Sequence, residues 1–345
     1  MICCGGTSDN SVEADVAIVG AGVAGLYAAY CCGLSGIRCA LIEALPAPGG
    51  QCRALYPEKK MYGTPGFVGV KAKDFVSKLA AQCIGENCVS LFGHKVESAT
   101  KTTDGRFDVV AYDSCHDWGK HVFAKYLAVT TGIGEMKPNI PSTIRGFDRL
   151  DEHSDFVQHY CINLDMYRGK RVIIAGGGDT AVDFAVMLSG LANSITLVHR
   201  REQFTCERSK LGDIERLAQS GKLKLVLGHN ISKLLEEEGR RSVKTVDADG
   251  AMHSFETDYT VFCYGYVASA SSLFGLKELG VQIENNLIKV DINTMETSLE
   301  NCYAAGDIVT YQNKKKNVVP CFFEADRMVR SIKNKMMQGE ICRNL

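Results

Sequence analysis

The chain contains two short apolar runs, and each is followed by a glycine-rich turn and then by a segment with helical periodicity. Residues 15–19 lead into Gly20-Ala21-Gly22-Val23-Ala24-Gly25, and residues 171–175 lead into Gly176-Gly177-Gly178-Asp179-Thr180-Ala181. Each stretch reads as a buried parallel strand, a tight turn and the start of a helix. Glycine lets the backbone approach a pyrophosphate closely, and a helix N-terminus faces the anion. The pattern therefore predicts two dinucleotide-binding units.

The same series of elements follows each turn. Second strands cover residues 38–43 and 194–199, hairpin turns are predicted at Asp104-Gly105 and Asp249-Gly250, and closing strands end at Gly132 and Gly265. The predicted fold class is α/β, with two Rossmann-like dinucleotide-binding domains of three-layer ββα form. The segments after the closing strands are the natural linkers, so the second domain is inserted into a discontinuous first domain. The predicted boundaries are 12–134 with 266–345 for the first domain, 135–265 for the second, and 1–11 for a disordered arm.

The two second strands end in residues of opposite charge. Glu43 follows Gly25 at the distance at which an acid holds a ribose hydroxyl pair, the alternative being a solvated strand end. His199, Arg200 and Arg201 stand at the equivalent place in the second unit. Arginines accept a 2'-phosphate in bidentate fashion, so this unit is predicted to prefer NADPH, the alternative being a surface basic pair.

Composition narrows the functional classes. The 345 residues carry a net charge of -1, with 46% hydrophobic and 23% charged residues, which argues against nucleic acid or an acidic membrane surface as partner. The 15 cysteines include no C-x-x-C pair and no zinc-like spacing, so we predict free thiols in a reducing cytoplasm and no metal site. Residues 16–33 are apolar but interrupted by the first glycine turn, so they predict strand, turn and helix instead of a membrane span.

Further motifs carry a resemblance to a known family. They are Gly49-Gly50-Gln51, residues 54–59, Pro65-Gly66-Phe67 and Tyr303-Ala304-Ala305-Gly306-Asp307. With these segments the chain resembles, over roughly residues 12–336, the thioredoxin reductase-type ferredoxin (flavodoxin)–NADP reductases of the two-domain flavoprotein disulfide reductase superfamily. The resemblance implies a homodimer that passes electrons between NADPH and ferredoxin or flavodoxin. Hydride transfer to FAD and one-electron transfers to the partner carry the reaction, with no catalytic acid or base from the protein.

The resemblance also assigns site residues. Tyr56 is expected to stack on the flavin, and the last helix is expected to point its N-terminus, at Phe323-Glu324-Ala325, towards the flavin pyrimidine. FAD is expected on Gly20, Gly22, Val23, Ala24, Gly25, Glu43, Gly50, Gln51, Val96, Asp307 and Glu324. NADPH is expected on Gly176, Gly178, Asp179, Thr180, Ala181, His199, Arg200 and Arg201. The chain departs from the family pattern at Thr205, where related sequences tend to have another arginine. Arg208 is the candidate to take the place of that arginine.

A missing dithiol separates this chain from thioredoxin reductases. Those enzymes carry C-x-x-C before the second glycine turn, where this chain has Cys161-Ile162-Asn163-Leu164. Cys83 and Cys88 lie too far along for a disulfide of the glutathione reductase type and are expected on a helix face. Two other functions stay open, a flavin-dependent NADPH reductase of small disulfides or quinones, and a flavin-holding sensor or scaffold.

Two lysine groups beside the flavin motifs are candidate docking residues for an acidic partner. They are Lys59-Lys60 and Lys314-Lys315-Lys316. The alternative is that both groups are ordinary solvated loops.

Overall fold

The computed structural model describes residues 10–113, 119–134, 136–139, 143–153, 155–159, 163–268 and 273–343. The chain divides into two compact units. The first comprises Met1–Ala54, Lys60–Met136 and Ala268–Leu345, and the second comprises Leu55–Lys59 and Lys137–Val267. The segment Leu55–Lys59 thus groups with the second unit, although the predicted boundaries placed it in the first.

The elements are numbered here in chain order. The strands are β1 Ser11–Val19, β2 Cys39–Glu43, β3 Lys60–Met61, β4 Val70–Lys71, β5 Cys88–Phe92, β6 His94–Lys101, β7 Phe107–Asp113, β8 Gly119–Val129, β9 Met136–Pro138, β10 Val157–Gln158, β11 Arg171–Ala175, β12 Ser194–His199, β13 Leu223–Leu227, β14 Asn230–Glu237, β15 Arg240–Val246, β16 Met252–Glu256, β17 Tyr259–Phe262, β18 Tyr266–Ala268, β19 Ile283–Glu284, β20 Leu287–Lys289, β21 Cys302–Ala304 and β22 Val309–Thr310. The helices are α1 Val23–Leu34, α2 Gly50–Ala54, α3 Ala72–Cys83, α4 Phe147–His153, α5 Asp179–Leu188, α6 Arg208–Gln219 and α7 Val318–Arg343, with a short 3-10 helix at Leu164–Tyr167.

The first unit is built on one mixed sheet. Its parallel part runs β5-β2-β1-β8, with β21 joining the C-terminal end of β8, and the antiparallel strands β7 and β6 extend from the other end of β8. The strand β2 is buried along its whole length, as expected for a parallel strand covered on both faces. Helix α1 packs against α3 and α7. The carboxyl ends of β1, β2 and β21 therefore lie at one edge of the sheet.

The second unit repeats this plan with different strands. Its parallel sheet runs β10-β17-β11-β12-β13, and a separate antiparallel sheet runs β14-β15-β16. One cluster of buried side chains, including Phe184 and Leu197, lies between the parallel sheet and the helices α5 and α6. A second cluster, including Phe156 and Val243, lies between the parallel sheet and the antiparallel layer. The α/β fold class is thus confirmed.

Several sequence-based expectations need correction. Ser11 belongs to β1, because its backbone pairs with His121 of β8, so the predicted arm is too long by that residue; residues 1–9 lie outside the described residues. Helix α7 begins at Val318 and not at residues 323–325, because Asn317 accepts the Val318 N–H and a proline in the first turn loses no helical hydrogen bond.

The cysteines behave as free thiols where they are described. Cys83 ends α3 and Cys88 begins β5, so they do not share a helix face as expected. None of the ten cysteines whose side chains the structure describes forms a disulfide, and Cys161 lies outside the described residues. Residues 16–33 form strand, turn and helix as predicted. Within the described part of the chain, each helix is too short or too polar to cross a membrane.

Candidate functional site

The first glycine turn is closely packed where β1 passes into α1. Gly20 has a φ of +103°, and a Cβ there would lie 2.5 Å from the carbonyl oxygen of Thr130. A Cβ at Gly25 would lie 1.8 Å from the carbonyl oxygen of Gly20. Only glycine fits at these two positions without a shift of the backbone, so the turn can hold the strand and the helix in close contact.

A second loop approaches the same turn. The Gly49 N–H donates to the carbonyl oxygen of Ala21 at 2.8 Å, and a Cβ at Gly50 would lie 3.0 Å from the Cα of Gly22. Gly22 precedes α1 and no side chain caps this end of the helix. The first amide groups of α1, including those of Val23 and Ala24, are therefore available to an anion. This arrangement fits a pyrophosphate.

Glu43 joins the end of β2 to the glycine turn. Its carboxylate is almost fully buried and accepts the Ala21 N–H at 2.7 Å and the Leu45 N–H at 3.0 Å. Burial raises the pKa of this carboxyl, while the backbone hydrogen bonds act to lower it. Three backbone donors, those of Ala21, Ala44 and Leu45, do not use all four lone pairs of the two oxygens, so the carboxylate can still accept a ribose hydroxyl.

Asp307 carries the clearest sign of a missing ligand. Its Oδ2 accepts the side-chain N–H of Gln51 at 3.4 Å. Its Oδ1 is buried and has no hydrogen-bond partner among the described residues. A buried carboxylate oxygen without a donor is costly, so this position fits a ligand hydroxyl. The residues expected to hold a flavin ribityl chain therefore have the right chemistry for it.

Behind Asp307 lies a buried ion pair that the sequence did not predict. Glu324 is fully buried; it accepts the Gly306 N–H at 2.8 Å and the Tyr311 hydroxyl at 2.6 Å, and it pairs with Lys314. The side chain of Lys314 is only 7% exposed. The expectation that Lys314 is available for docking is therefore wrong, because its charge is used to neutralise Glu324.

Two further flavin-assigned residues, Val96 and Tyr56, belong to different units. Val96 is buried on β6, next to an irregularity in the pairing with β7. Tyr56 belongs to the segment Leu55–Lys59 of the second unit, where the Lys59 ammonium lies 5.7 Å from its ring centre. Lys59 itself forms an ion pair with Asp183 at 2.7 Å, so it is not a free docking residue.

The second glycine turn joins β11 to α5. Gly176 has a φ of +147°, and a Cβ there would lie 2.7 Å from the carbonyl oxygen of Cys263. Gly178 precedes α5, again with no side-chain cap, so the first amide groups of the helix, those of Asp179 and Thr180, can face an anion, whereas the Ala181 N–H donates to the carbonyl oxygen of Gly178 at 3.1 Å. This turn is also suited to a pyrophosphate.

His199 and the two arginines occupy different environments. His199 is buried, and a Cβ at Gly177 would lie only 2.4 Å from its ring, so the imidazole packs beneath the turn. Burial lowers its pKa, which favours the neutral ring. Arg200 and Arg201 follow β12, are exposed, and have no ion pair with any described residue. Their guanidinium groups are therefore available to a phosphate.

Thr205 contributes a contact that sequence reasoning missed. Its N–H donates to the carbonyl oxygen of Gly177 at 2.8 Å, and its hydroxyl donates to the same oxygen at 3.2 Å. The Asp179 carboxylate accepts the Glu207 N–H at 2.9 Å. The loop after Arg201 is thus hydrogen-bonded to the glycine turn through Thr205 and through Glu207. Arg208 is exposed at the first position of α6.

Comparison with known proteins identifies the family of this chain. The model of the family described as pyridine nucleotide-disulphide oxidoreductase matches residues 14–339. A ferredoxin--NADP reductase of Granulibacter bethesdensis is 35% identical over 94% of this chain and 90% of its own. One from Paramagnetospirillum magneticum is 34% identical over 95% of this chain and 94% of its own.

Among solved structures, the thioredoxin reductase of T. acidophilum has a TM-score of 0.76 at 22% identity, covering 94% of this chain and 99% of that one. A likeness at this identity concerns the fold alone, whereas the sequence relatives and the family model span nearly the whole chain. The chain belongs to the pyridine nucleotide-disulphide oxidoreductase family, and within it to the ferredoxin–NADP reductases.

Proposed function

We propose that this protein is an FAD-containing enzyme that passes electrons between NADPH and a ferredoxin. The observation that carries the proposal is the unpartnered, buried Oδ1 of Asp307 beside the first glycine turn, in a chain with a second such turn. Relatives named ferredoxin--NADP reductase, at about one third identity over most of the chain, support the same activity. A flavodoxin is the alternative one-electron partner.

The residues of this chain hold and orient the two cofactors. In the first unit the amides of α1 bind the pyrophosphate, Glu43 binds the ribose, and Asp307 with Gln51 orients the polyol chain. In the second unit the amides of α5 bind the pyrophosphate of NADPH, and Arg200 and Arg201 bind its 2'-phosphate. The bound cofactors supply hydride transfer and single-electron transfer, so no side chain is needed as acid or base.

A reduction assay with four acceptors tests this function. The purified protein is expected to be yellow with one FAD per chain, and to reduce cytochrome through ferredoxin with NADPH as donor. A quinone, a small disulfide and thioredoxin serve as competing acceptors. Turnover of thioredoxin or of the small disulfide above that of ferredoxin would replace the proposal with a disulfide reductase. A colourless protein that takes up no FAD would reject both.

Coenzyme preference is expected to depend on Arg200. Replacing Arg200 with alanine removes a charge-assisted hydrogen bond, worth on the order of 1.5–3 kcal/mol, to the 2'-phosphate. The KM for NADPH is expected to rise about tenfold or more, while the KM for NADH stays unchanged. Arg216→Ala, which removes an exposed arginine from α6 of the same unit, is the matched control. Equal KM values for the two coenzymes in the wild type would contradict the assignment.

A basic and apolar surface beside the first unit's flavin motifs fits an acidic partner. Lys60, Lys315 and Lys316 are exposed, and so are Tyr62 and Val68, at 75% and 105%. A side chain at Gly63 would lie 3.6 Å from the Asn317 amide, so the loop after Lys60 lies next to the lysines that precede Asn317. We propose that this surface, Lys60-Tyr62-Val68-Lys315-Lys316, docks the ferredoxin.

Charge removal from this surface tests the docking proposal. Lys315→Gln/Lys316→Gln is expected to slow ferredoxin-dependent cytochrome reduction and to weaken its dependence on salt, because screening shortens the Debye length from about 10 Å at 0.1 M to about 3 Å at 1 M. Ferricyanide reduction, which needs no docking, is the internal control. The matched control variant is Lys277→Gln, an exposed lysine of the same unit. Equal loss of both activities would contradict docking at these lysines.

We also propose that the chain forms a homodimer in the cytoplasm. The homodimer rests on the resemblance to the family alone, and light scattering across micromolar concentrations tests it. The cytoplasmic location is supported by the lack of a disulfide among the ten cysteines whose side chains are described, which suits a reducing compartment.

A further inference from the structure

Three potential metal ligands converge in the second unit, on residues that belong to neither glycine turn. One ring nitrogen of His229, one ring nitrogen of His253 and one carboxylate oxygen of Asp247 lie within 4.8 Å of one another. His229 precedes β14, Asp247 follows β15, and His253 lies on β16. Their positions match no zinc-ligand spacing, so the sequence predicted no metal here. The antiparallel pairing of β15 with both neighbours brings them together.

Hydrogen bonds around the cluster orient the ligand atoms. The Asp247 Oδ1 accepts the N–H groups of Asp249 at 3.0 Å and Ala251 at 2.9 Å, which leaves Oδ2 facing the His253 Nε2 at 2.7 Å. These backbone donors fix the orientation of the carboxylate, as hydrogen bonds commonly do for metal-binding carboxylates.

His229 is held from its other side. Its Nδ1 lies 2.9 Å from the hydroxyl of Thr245, a fully buried residue on β15. When Nδ1–H donates to this hydroxyl, Nε2 carries the lone pair that a metal needs. The rings of His229 and His253 lie 4.8 Å apart between centres. Both imidazoles therefore lie beside the same carboxylate, as ligands of one ion must.

We propose that His229, Asp247 and His253 form a divalent transition-metal site, best suited to zinc. Two imidazoles and one carboxylate are a borderline-soft donor set with an open fourth position for water. Bonds of about 2.0–2.2 Å in tetrahedral geometry place ligand atoms about 3.3 Å apart. The ligand atoms lie within 4.8 Å of one another. Zinc would replace the hydrogen between Asp247 Oδ2 and His253 Nε2, which lie 2.7 Å apart, and would separate them to this spacing. The His253 side chain, 43% exposed on the edge strand β16, has room for that shift.

The site has a structural consequence for the nucleotide unit. The His229 N–H donates to the carbonyl oxygen of His199 at 3.1 Å, and His199 is the last residue of β12, directly before Arg200. A metal bound to His229 would therefore hold in place a residue that is hydrogen-bonded to the end of β12, directly before the arginines. The assignment does not depend on the proposed electron-transfer activity, since it concerns binding of the metal alone.

Calorimetric titration of the untagged, FAD-loaded full chain with zinc chloride tests the site. Asp247→Asn and His253→Asn are each expected to weaken one class of zinc binding by at least about tenfold. His121→Asn is the matched control, because His121 pairs with Asp108 at 2.9 Å in the first unit and belongs to no three-ligand cluster within the described residues. Its zinc affinity is expected to equal that of the wild type.

Two outcomes would overturn the site. Absence of zinc binding in the wild type is one, and binding that is unchanged in both Asp247→Asn and His253→Asn is the other, since the zinc would then sit on cysteine thiols. Asparagine at 247 keeps an oxygen acceptor for the turn, and His253 is exposed, so both variants are expected to fold, as circular dichroism checks. Zinc is further expected to raise the thermal unfolding temperature of the wild type but not of His253→Asn.

Discussion

Gly25→Ala is expected to abolish FAD binding and to destabilise the first unit severely. The new methyl carbon would lie 1.8 Å from the Gly20 carbonyl oxygen, a backbone atom that cannot rotate away. To avoid this clash α1 must move away from β1, which separates the amide groups that would bind the pyrophosphate. Overpacking of this kind lowers the free energy of unfolding by about 3 kcal/mol or more. The measurements are the ratio of flavin to protein absorbance after purification and the thermal unfolding temperature.

Gly33→Ala is the matched control for this variant. Gly33 lies in the same helix, and a Cβ there would meet no atom within 4 Å. Alanine is favoured over glycine inside a helix by up to about 1 kcal/mol, so this variant is expected to be as stable as the wild type or slightly more so. Full FAD content in Gly25→Ala would contradict the close-packing argument.

Lys314→Met is expected to lower the free energy of unfolding by about 3–5 kcal/mol, because it leaves the buried carboxylate of Glu324 without its cation. The side chains of Lys314 and Glu324 are 7% and 0% exposed, so water cannot replace the lost partner. The Glu324 carboxylate also accepts the Gly306 N–H, so the loss reaches the residue next to Asp307. Flavin fluorescence during thermal unfolding reports the release of FAD from this unit.

Two further variants separate the ion pair from a general effect of losing a lysine. Lys316→Met removes an exposed charge from the same run and is expected to leave unfolding unchanged. The double variant Lys314→Met/Glu324→Gln removes both charges while keeping an oxygen acceptor for the Gly306 N–H. It is expected to recover much of the lost stability. Equal stability of Lys314→Met and Lys316→Met would show that the pair contributes nothing.

Sequence-based predictions in this chain differ in whether they depend on neighbouring residues or on distant ones. The strands, turns and helices at Gly20–Gly25 and Gly176–Ala181 follow from short-range pattern, because glycine spacing and apolar runs act over one turn of chain. The expected start of α7 at residues 323–325 came from the resemblance alone, whereas the local signals of its start at Val318 are Asn317 before the helix and Pro320 in its first turn. The assigned cofactor contacts stay predictions.

Local spacing in the sequence predicts the α/β class and the duplication of one dinucleotide-binding plan, and longer motifs carry the resemblance to the family. Only the packing of the fold shows that Lys314 is buried against Glu324 and that an oxygen of Asp307 has no donor among the described residues. It also brought His229, Asp247 and His253 together. These facts arise where distant segments pack, and the burial and partners of a charged side chain depend on which segments meet, which no local pattern encodes.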